Sequence, residues 1–224
     1  MNTAIIVAAG SGKRFGGHIP KQFIEIHGKP VLIHTLERFE MCDLVDEIVL
    51  VLAADEINNF SGKVQKYNFT KLNKIITGGN SRAESVFNGL KTIDKKSAEI
   101  IAIHDGARPL VSVEEISKTI KIAEEHGAAC LVGKVTDTIK EISDGKIVKT
   151  IDRTKLRRAL TPQCFRYEML IRAFEENDIG KIATDECFLI EQMGIEIKIV
   201  EGSSKNIKIT HEEDLKFAEI FLQK

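Results

Sequence analysis

Gly10, Gly12 and Gly16 punctuate a short stretch that carries Ser11, Lys13, Arg14 and Phe15 between them, and Pro20-Lys21-Gln22 follows shortly after. Residues without a Cβ let a ligand come close to the backbone and let the chain make left-handed turns. Turned N–H groups of this kind form a nest for an anion. Lys13, Arg14 and Lys21 add fixed positive charge beside it. The stretch follows directly on Ala4-Ile5-Ile6-Val7, a short apolar run that reads as a buried strand. Glycines and three cations at the end of a first strand are an arrangement for handling phosphate.

Two familiar phosphate patterns fail here on spacing. A P-loop needs a glycine five positions before Gly12, where Val7 stands, and Ser or Thr after the lysine, where Arg14 stands. A dinucleotide fingerprint wants G-x-G-x-x-G, whereas Gly10, Gly12 and Gly16 run one residue too long. The plainer reading is an ordinary strand-to-helix turn with basic residues in solvent. It accounts for the glycines but not for the cations.

Two further loops carry polar residues. Gly78-Gly79 leads to Ser85, and Asp105-Gly106-Ala107-Arg108-Pro109 follows the apolar run Ile100 to His104. An Asp-Gly turn with a nearby Arg is by itself as readily a loop ion pair as a site. Its place at a strand end favours function, because open α/β sheets bind ligands beyond the carboxyl ends of their strands. The six histidines show no metal-ligand spacing, and His104 beside Asp105 reads as a strand-end structural residue rather than a base.

The elements that must position these loops alternate. Pro30 opens a helical stretch with Val31, Leu32, Thr35, Leu36 and Phe39 at helix spacing, and Glu47 to Leu52 is a nearly continuous apolar strand of the kind buried on both faces. A weaker helix spans about Glu56 to Tyr67, and Lys74 to Thr77 is a third strand. Ser81 with Glu84, and Ser112 with Glu115, are spaced as capping boxes, so helices start at both places. Ile100 to His104 and Ala128 to Val135 are the fourth and fifth strands. Strands alternating with helices over the first 135 residues mean an α/β, doubly wound, mostly parallel Rossmann-like sheet.

The pattern then changes. Asp137 to Asp152 has no helical period, and Asp144-Gly145 is a hairpin turn pair. An isolated hairpin is marginal in water, so this extended β-hairpin reads as a dimerisation arm that pairs with a second copy of the chain. The chain returns through Thr161-Pro162-Gln163-Cys164-Phe165. Helices follow around Tyr167 to Glu176 and Asp185 to Met193, the second with Thr184 as N-cap. Ile195 to Val200 and Ile207 to Ile209 read as short strands. Thr210 with Glu213 is spaced as a third capping box, opening a helix that turns Leu215, Ala218 and Leu222 to the core. The 224 residues are expected to form one domain, 1–224, with 137–155 as a protruding arm.

Composition narrows the partners. Lys and Arg number 32 against 33 Asp and Glu, a net charge of −1, so there is no basic surplus to argue for nucleic acid. No apolar run approaches the roughly 18 residues of a membrane span, and the N-terminal run breaks at glycine before it could serve as a signal peptide. Cys42, Cys130, Cys164 and Cys187 are far apart and read as reduced, packed thiols of a cytoplasmic protein.

The motif A-A-G-x-G-x-R-x-G with P-K-Q resembles the signature of sugar-phosphate nucleotidyltransferases, and within them the 2-C-methyl-D-erythritol 4-phosphate cytidylyltransferase family. Asp105 to Pro109 is similar to that family's D-[AG]-A-R-P, and Gly78 to Ser85 to its nucleoside-binding G-G-x-x-R-x-x-S. Asp152-Arg153, Thr161-Pro162-Gln163, Thr184-Asp185-Glu186 and Asn206-Ile207-Lys208-Ile209-Thr210 fall in its pattern in order. The likeness spans essentially the whole chain. Asn80 departs from it, since relatives often carry an acid there.

That resemblance implies transfer of a cytidylyl group from CTP to methylerythritol phosphate, with release of pyrophosphate. It implies that Ala8, Ala9, Gly10, Gly12, Lys13, Gly78, Gly79, Ser85, Asp105 and Gly106 bind the nucleotide. Arg14 and Lys21 would stabilise the α-phosphoryl transition state. Arg153 and Lys208, with Asp105, Arg108, Thr138, Thr161 and Thr184, would hold the acceptor. Mg²⁺ would be bound mainly by the CTP phosphates, with no protein metal site. The rival readings are a pentitol-phosphate (ribitol 5-phosphate) cytidylyltransferase, which shares the glycine loop, and a CTP-binding module without turnover. The stretch from Leu156 to Thr161 after Asp152-Arg153 favours the methylerythritol group, and the presence of Arg14 and Lys21 favours turnover. The glycine spacing disfavours a dehydrogenase.

Overall fold

The computed structural model describes residues 1–10, 19–177 and 185–222. Strand β1 (Thr3–Ala8) is followed by the short antiparallel pair β2 (Glu25–Ile26) and β3 (Lys29–Pro30), and then by α1 (Val31–Glu40). The alternation continues with β4 (Glu47–Leu52), α2 (Ile57–Val64), β5 (Leu72–Thr77), α3 (Arg82–Leu90), β6 (Ile100–Asp105), α4 (Val113–His126) and β7 (Ala128–Lys134). The hairpin β8 (Ile139–Ser143) and β9 (Lys146–Ile151) comes next, then β10 (Arg157–Arg166), α5 (Tyr167–Glu176), α6 (Glu186–Gln192), β11 (Lys198–Glu201) and α7 (Glu212–Leu222).

Among the described residues seven strands form one sheet in the order β11-β7-β10-β6-β1-β4-β5. Its pairs are parallel except where β10 runs antiparallel between β6 and β7. This is the expected mostly parallel α/β fold. β4 shows why its sequence reads as a continuous apolar run: Ile48, Leu50 and Leu52 meet Leu32, Leu36 and Phe39 of α1 in one core. Val49 and Val51, pointing the other way, join Val86 and Leu90 of α3 in a second core. Both faces are covered, so alternation with polar residues would bury charge.

β10 is the strand that the sequence pattern concealed. A proline cannot donate to a ladder and argues against a central strand. Here the chain accommodates Pro162 at a shift of register, between the pairs Ala159–Val132 and Gln163–Cys130. The consequence is functional, because β10 lays Thr161 and Gln163 beside the end of β6.

Other local differences have simple causes. Ser112 and Glu115 form the full reciprocal cap. At α3 only half the box forms: Ser81 accepts from the Glu84 amide, while the Glu84 carboxylate accepts from Asn80 at 2.6 Å. The N-cap of α6 is Asp185, whose side chain accepts from the Phe188 amide; Thr184 lies outside the described residues. At α7 the Asp214 carboxylate takes the amides of both Thr210 and His211, so Glu213 is not the capping partner. Residues 207–209 form no regular strand, although Ile209 donates to the Ala107 carbonyl at 2.9 Å.

The arm stands apart from the main sheet as its own two-stranded pair. Asp144 and Gly145 both have positive φ, 47° and 73°, as a tight hairpin turn with matched twist requires. Ile142 pairs with Ile147 across the strands, and Ile142, Ile147 and Val148 are all more than half exposed. No helix among the described residues is long and apolar enough to cross a membrane.

Candidate active site

Parallel pairing aligns three strand ends. Val7 of β1 is in register with Asp105 of β6, and Ala8 with Leu52 of β4. From these ends Gly106 donates to the Val7 carbonyl and Gly78 to the Leu52 carbonyl. Neither glycine has a positive φ; both are needed for close approach. A Cβ on Gly78 would stand 2.4 Å from the Ala9 Cβ, and one on Gly106 would stand 2.9 Å from both Ala8 and Leu32. The loops that leave β1, β5 and β6 are thereby packed against one another where they start.

Asp105 sits at the centre. Its carboxylate meets Arg82 Nε at 3.0 Å, Arg108 Nε at 3.2 Å and Lys208 Nζ at 3.0 Å. Burial alone would push this carboxyl up, but Arg82, Lys208 and Arg108 outweigh it and hold Asp105 well below the usual carboxylate range. Arg82 turns its other edge to Glu186, whose two oxygens accept from one nitrogen at 2.6 and 2.8 Å. Glu186 is 1% exposed. Burial drives its carboxyl up and Arg82 pulls it back only in part. Two carboxylates on one guanidinium are thus unequal: Asp105 is firmly ionised because it has three cations, and Glu186 less so because it has one.

Around this cluster the remaining candidates fall into place unevenly. Lys21 donates to the Ile209 carbonyl, one residue beyond Lys208, so the P-K-Q turn is tied to the Asn206–Thr210 stretch. Its neighbour Gln22 is buried and donates to the carbonyls of Ala8 and Gly10, pinning the root of the glycine loop. The Ser85 hydroxyl donates to Ser81 and accepts from the Gly79 amide. Thr161 is 4% exposed and accepts from the Asp105 amide at 3.2 Å. Gln163 accepts from the amides of Glu186 and Cys187 and donates to Asp185, anchoring the start of α6.

Arg153 and Thr138 are exposed at the base of the arm, where the Arg153 guanidinium donates to the Thr136 carbonyl. Neither joins the hydrogen bonds and ion pairs of the Asp105 cluster among the described residues. Gly12, Lys13, Arg14 and Thr184 lie outside the described residues. Four residues had no role assigned from sequence: Gln22, Arg82, Gln163 and Glu186. The signal was present, since each is a fixed letter of a motif quoted above.

The cluster has cations, ionised carboxylates and hydrogen-bond donors but no activated nucleophile. His104 is fully buried, and burial pushes its imidazole down to about 3. Among the described residues no group of three or more His, Cys, Asp or Glu could hold a metal ion. Asp105, with three cations on its two oxygens, has little left to offer one. What the site can do is gather anions and neutralise charge. A separate cavity of about 640 Å³ opens near the start of β6, between Ile100, Tyr167, Met169 and Met193. It contains none of these residues and lies at the strand end where α/β sheets do not bind their ligands.

The sequence matches the family model described as 2-C-methyl-D-erythritol 4-phosphate cytidylyltransferase over residues 2–224. It is 45% identical, over 100% of this chain and 98% of the relative, to the protein of that name from Clostridium acetobutylicum. Its structure resembles the crystal structure of 4-diphosphocytidyl-2C-methyl-D-erythritol synthase from Anaerococcus prevotii, with a TM-score of 0.86 at 32% identity, covering 100% of this chain and 96% of that one. A 2-C-methyl-D-erythritol 4-phosphate cytidylyltransferase from Francisella tularensis gives 0.82 at 33% identity over 99% of each chain.

Proposed function

The chain belongs to the 2-C-methyl-D-erythritol 4-phosphate cytidylyltransferase family, and from that we propose how its residues perform cytidylyl transfer. The enzyme is a nucleotidyltransferase that joins CTP to 2-C-methyl-D-erythritol 4-phosphate, giving 4-diphosphocytidyl-2-C-methyl-D-erythritol and pyrophosphate. The observation that carries our reading of the site is Asp105, held ionised among Arg82, Arg108 and Lys208 at the carboxyl ends of the strands, with Lys21 tied in beside Lys208.

In this reaction an oxygen of the acceptor phosphate attacks the α-phosphorus of CTP in line. A bond forms from that oxygen to the α-phosphorus, and the bond from the α-phosphorus to the α,β-bridging oxygen breaks, its electron pair leaving with pyrophosphate. A phosphate monoester is already an anion near neutral pH, so no general base is needed. The protein's work is to position two anions and offset their repulsion. We assign Arg14 and Lys21 to the charge on the α-phosphoryl group. Ala8, Ala9, Gly10, Gly12, Lys13, Gly78, Gly79, Ser85 and Gly106 are assigned to the nucleotide, in a pocket whose glycine backbone leaves room for a pyrimidine. Asp105 orients the nucleotide and the acceptor together, with Arg108, Lys208, Thr138, Arg153, Thr161 and Thr184 on the acceptor side. The Thr161 hydroxyl is already engaged within the fold, so its part is to shape that pocket more than to grip the phosphate.

Mg²⁺ fits this donor set only as a partner of the nucleotide: its oxygens would come from the CTP phosphates, where it would neutralise part of their charge. We further propose that 1–224 is one domain and that residues 137–155 form an arm exchanged with a second copy. The support is the exposed pair Ile142 and Ile147 on a hairpin that, among the described residues, pairs with no strand of the main sheet. Four free, buried cysteines fit a reducing, cytoplasmic setting.

Substrate choice is tested by pyrophosphate release with CTP and a panel of polyol phosphates. Methylerythritol phosphate is expected to give the highest kcat/KM, well above ribitol 5-phosphate. Equal or reversed values would move the assignment to the pentitol-phosphate enzymes, a reading the family membership does not favour.

A further inference from the structure

Four buried residues from three separate parts of the chain close a ring of hydrogen bonds around the base of the acceptor side. His104 Nε2 lies 3.2 Å from the Arg108 carbonyl, and Arg108 donates a guanidinium N–H to the Asn206 carbonyl at 3.0 Å. Asn206 Nδ2 donates to the Thr161 carbonyl at 2.9 Å, and the Thr161 hydroxyl lies 2.9 Å from His104 Nδ1. His104 is 0% exposed, Asn206 1%, Thr161 4% and Arg108 9%. His104 therefore cannot touch substrate itself.

The direction of each bond follows from the chemistry of the partners. A carbonyl only accepts, so the nitrogen facing Arg108 must carry the hydrogen. A neutral imidazole protonated at Nε2 has a lone pair at Nδ1, so Thr161 must donate to it. Thr161 then receives the Asp105 amide on one lone pair, and its single hydrogen is committed. We propose that His104 is a positioning residue for cytidylyl transfer: through this ring it fixes the Arg108 main chain and the Thr161 hydroxyl, and so the shape of the acceptor side. Every member donates to the next, and opening the ring at His104 leaves the buried Arg108 carbonyl without this donor and the Thr161 hydroxyl hydrogen without its acceptor. Both of these belong to residues that hold Asp105, Arg108 at its carboxylate and Thr161 at its backbone amide.

The neutral state of His104 has an independent cause. Burial pushes its pKa down to about 3, and the Asp105 carboxylate and the Arg108 carbonyl only partly offset this. Its ring also packs against Phe39, with centroids 4.9 Å apart, so His104→Phe preserves the packing while removing both hydrogen bonds. His104→Asn keeps an acceptor near the Nδ1 position and loses the bond to Arg108 and the ring contact with Phe39.

The inference rests on the acceptor-side reading given above, and its test separates the two. Nitrogen NMR of ¹⁵N-histidine-labelled enzyme should show the His104 ring as the Nε2–H tautomer, unchanged from pH 8 to pH 5. A ring protonated at Nδ1, or one that titrates in this interval, would overturn the ring whether or not the enzyme turns over. In steady-state assays His104→Phe should lower kcat/KM for methylerythritol phosphate about 10- to 100-fold, the loss expected of a misplaced contact, with the KM for CTP within about twofold. His104→Asn should recover part of the loss, because it restores the acceptor for Thr161 but not the donor for Arg108. Equal losses for both substrates, or no rescue by Asn, would reduce His104 to a packing residue. A wild-type enzyme inactive with every acceptor would sink the functional assignment, and the NMR result would still decide the ring.

Discussion

Lys21→Ala is expected to lower kcat for pyrophosphate release by about 10²–10³, while the KM for CTP changes by no more than about threefold. Lys21 opens a single 3-10 turn after Pro20, closed by the Phe23 amide on the Pro20 carbonyl. On one side Gln22 ties this turn to the root of the glycine loop, and on the other Lys21 itself reaches the Ile209 carbonyl. The ammonium is thus held between the segment assigned to the triphosphate and the segment assigned to the acceptor. Negative charge grows there as pyrophosphate departs, so the contact matters more in the transition state than in the bound ground state. The expected loss corresponds to about 2.7–4 kcal/mol of transition-state stabilisation. Lys21→Met, which keeps the length of the stem, should be as impaired as alanine. A variant with near-normal kcat would leave Lys21 as a structural tie.

The second large effect is a recovery of activity from two dead proteins. The hairpin β8–β9 is mostly exposed, and Arg153 at its base joins none of the hydrogen bonds and ion pairs of the Asp105 cluster among the described residues. If two copies exchange arms about a two-fold axis, Arg153 serves the partner's site while Lys21 serves its own. Lys21→Ala and Arg153→Ala homodimers are then each nearly inactive. In a mixed dimer both lesions fall in one site and the other is intact. Random exchange of subunits should restore about one quarter of the wild-type rate, because half the dimers are mixed and each has one working site. No recovery, with mass measurement showing that mixed dimers had formed, would mean that both residues act within one chain.

How far the sequence reveals this site depends on how local each determinant is. β4 is legible because six consecutive residues are buried on both faces, and Ser112 with Glu115 because a reciprocal cap is a contact over three residues. The arm announced itself through Asp144-Gly145, whose turn needs two positive φ angles. β10 was not legible, because its pairing partners are β6 and β7 and its proline argues against a strand. Thr184 and Asp185 are both good caps side by side, and only tertiary anchoring through Gln163 fixes the helix start on Asp185. The state of Asp105 is the clearest case. Its partners Arg82, Arg108 and Lys208, and Glu186 behind them, come from four places in the chain. Motif letters could mark these residues, but no spacing rule says that they converge on one carboxylate.

Oxygen labelling puts the central claim, attack by the acceptor phosphate on the α-phosphorus of CTP, to its most direct test. Methylerythritol phosphate carrying ¹⁸O in its non-bridging phosphate oxygens is incubated with CTP and the enzyme, and the products are read by the isotope shifts of ³¹P NMR. The account predicts a diphosphate product whose bridging oxygen is ¹⁸O and pyrophosphate that carries none. Label in pyrophosphate, or a product whose bridge holds unlabelled oxygen, would contradict it.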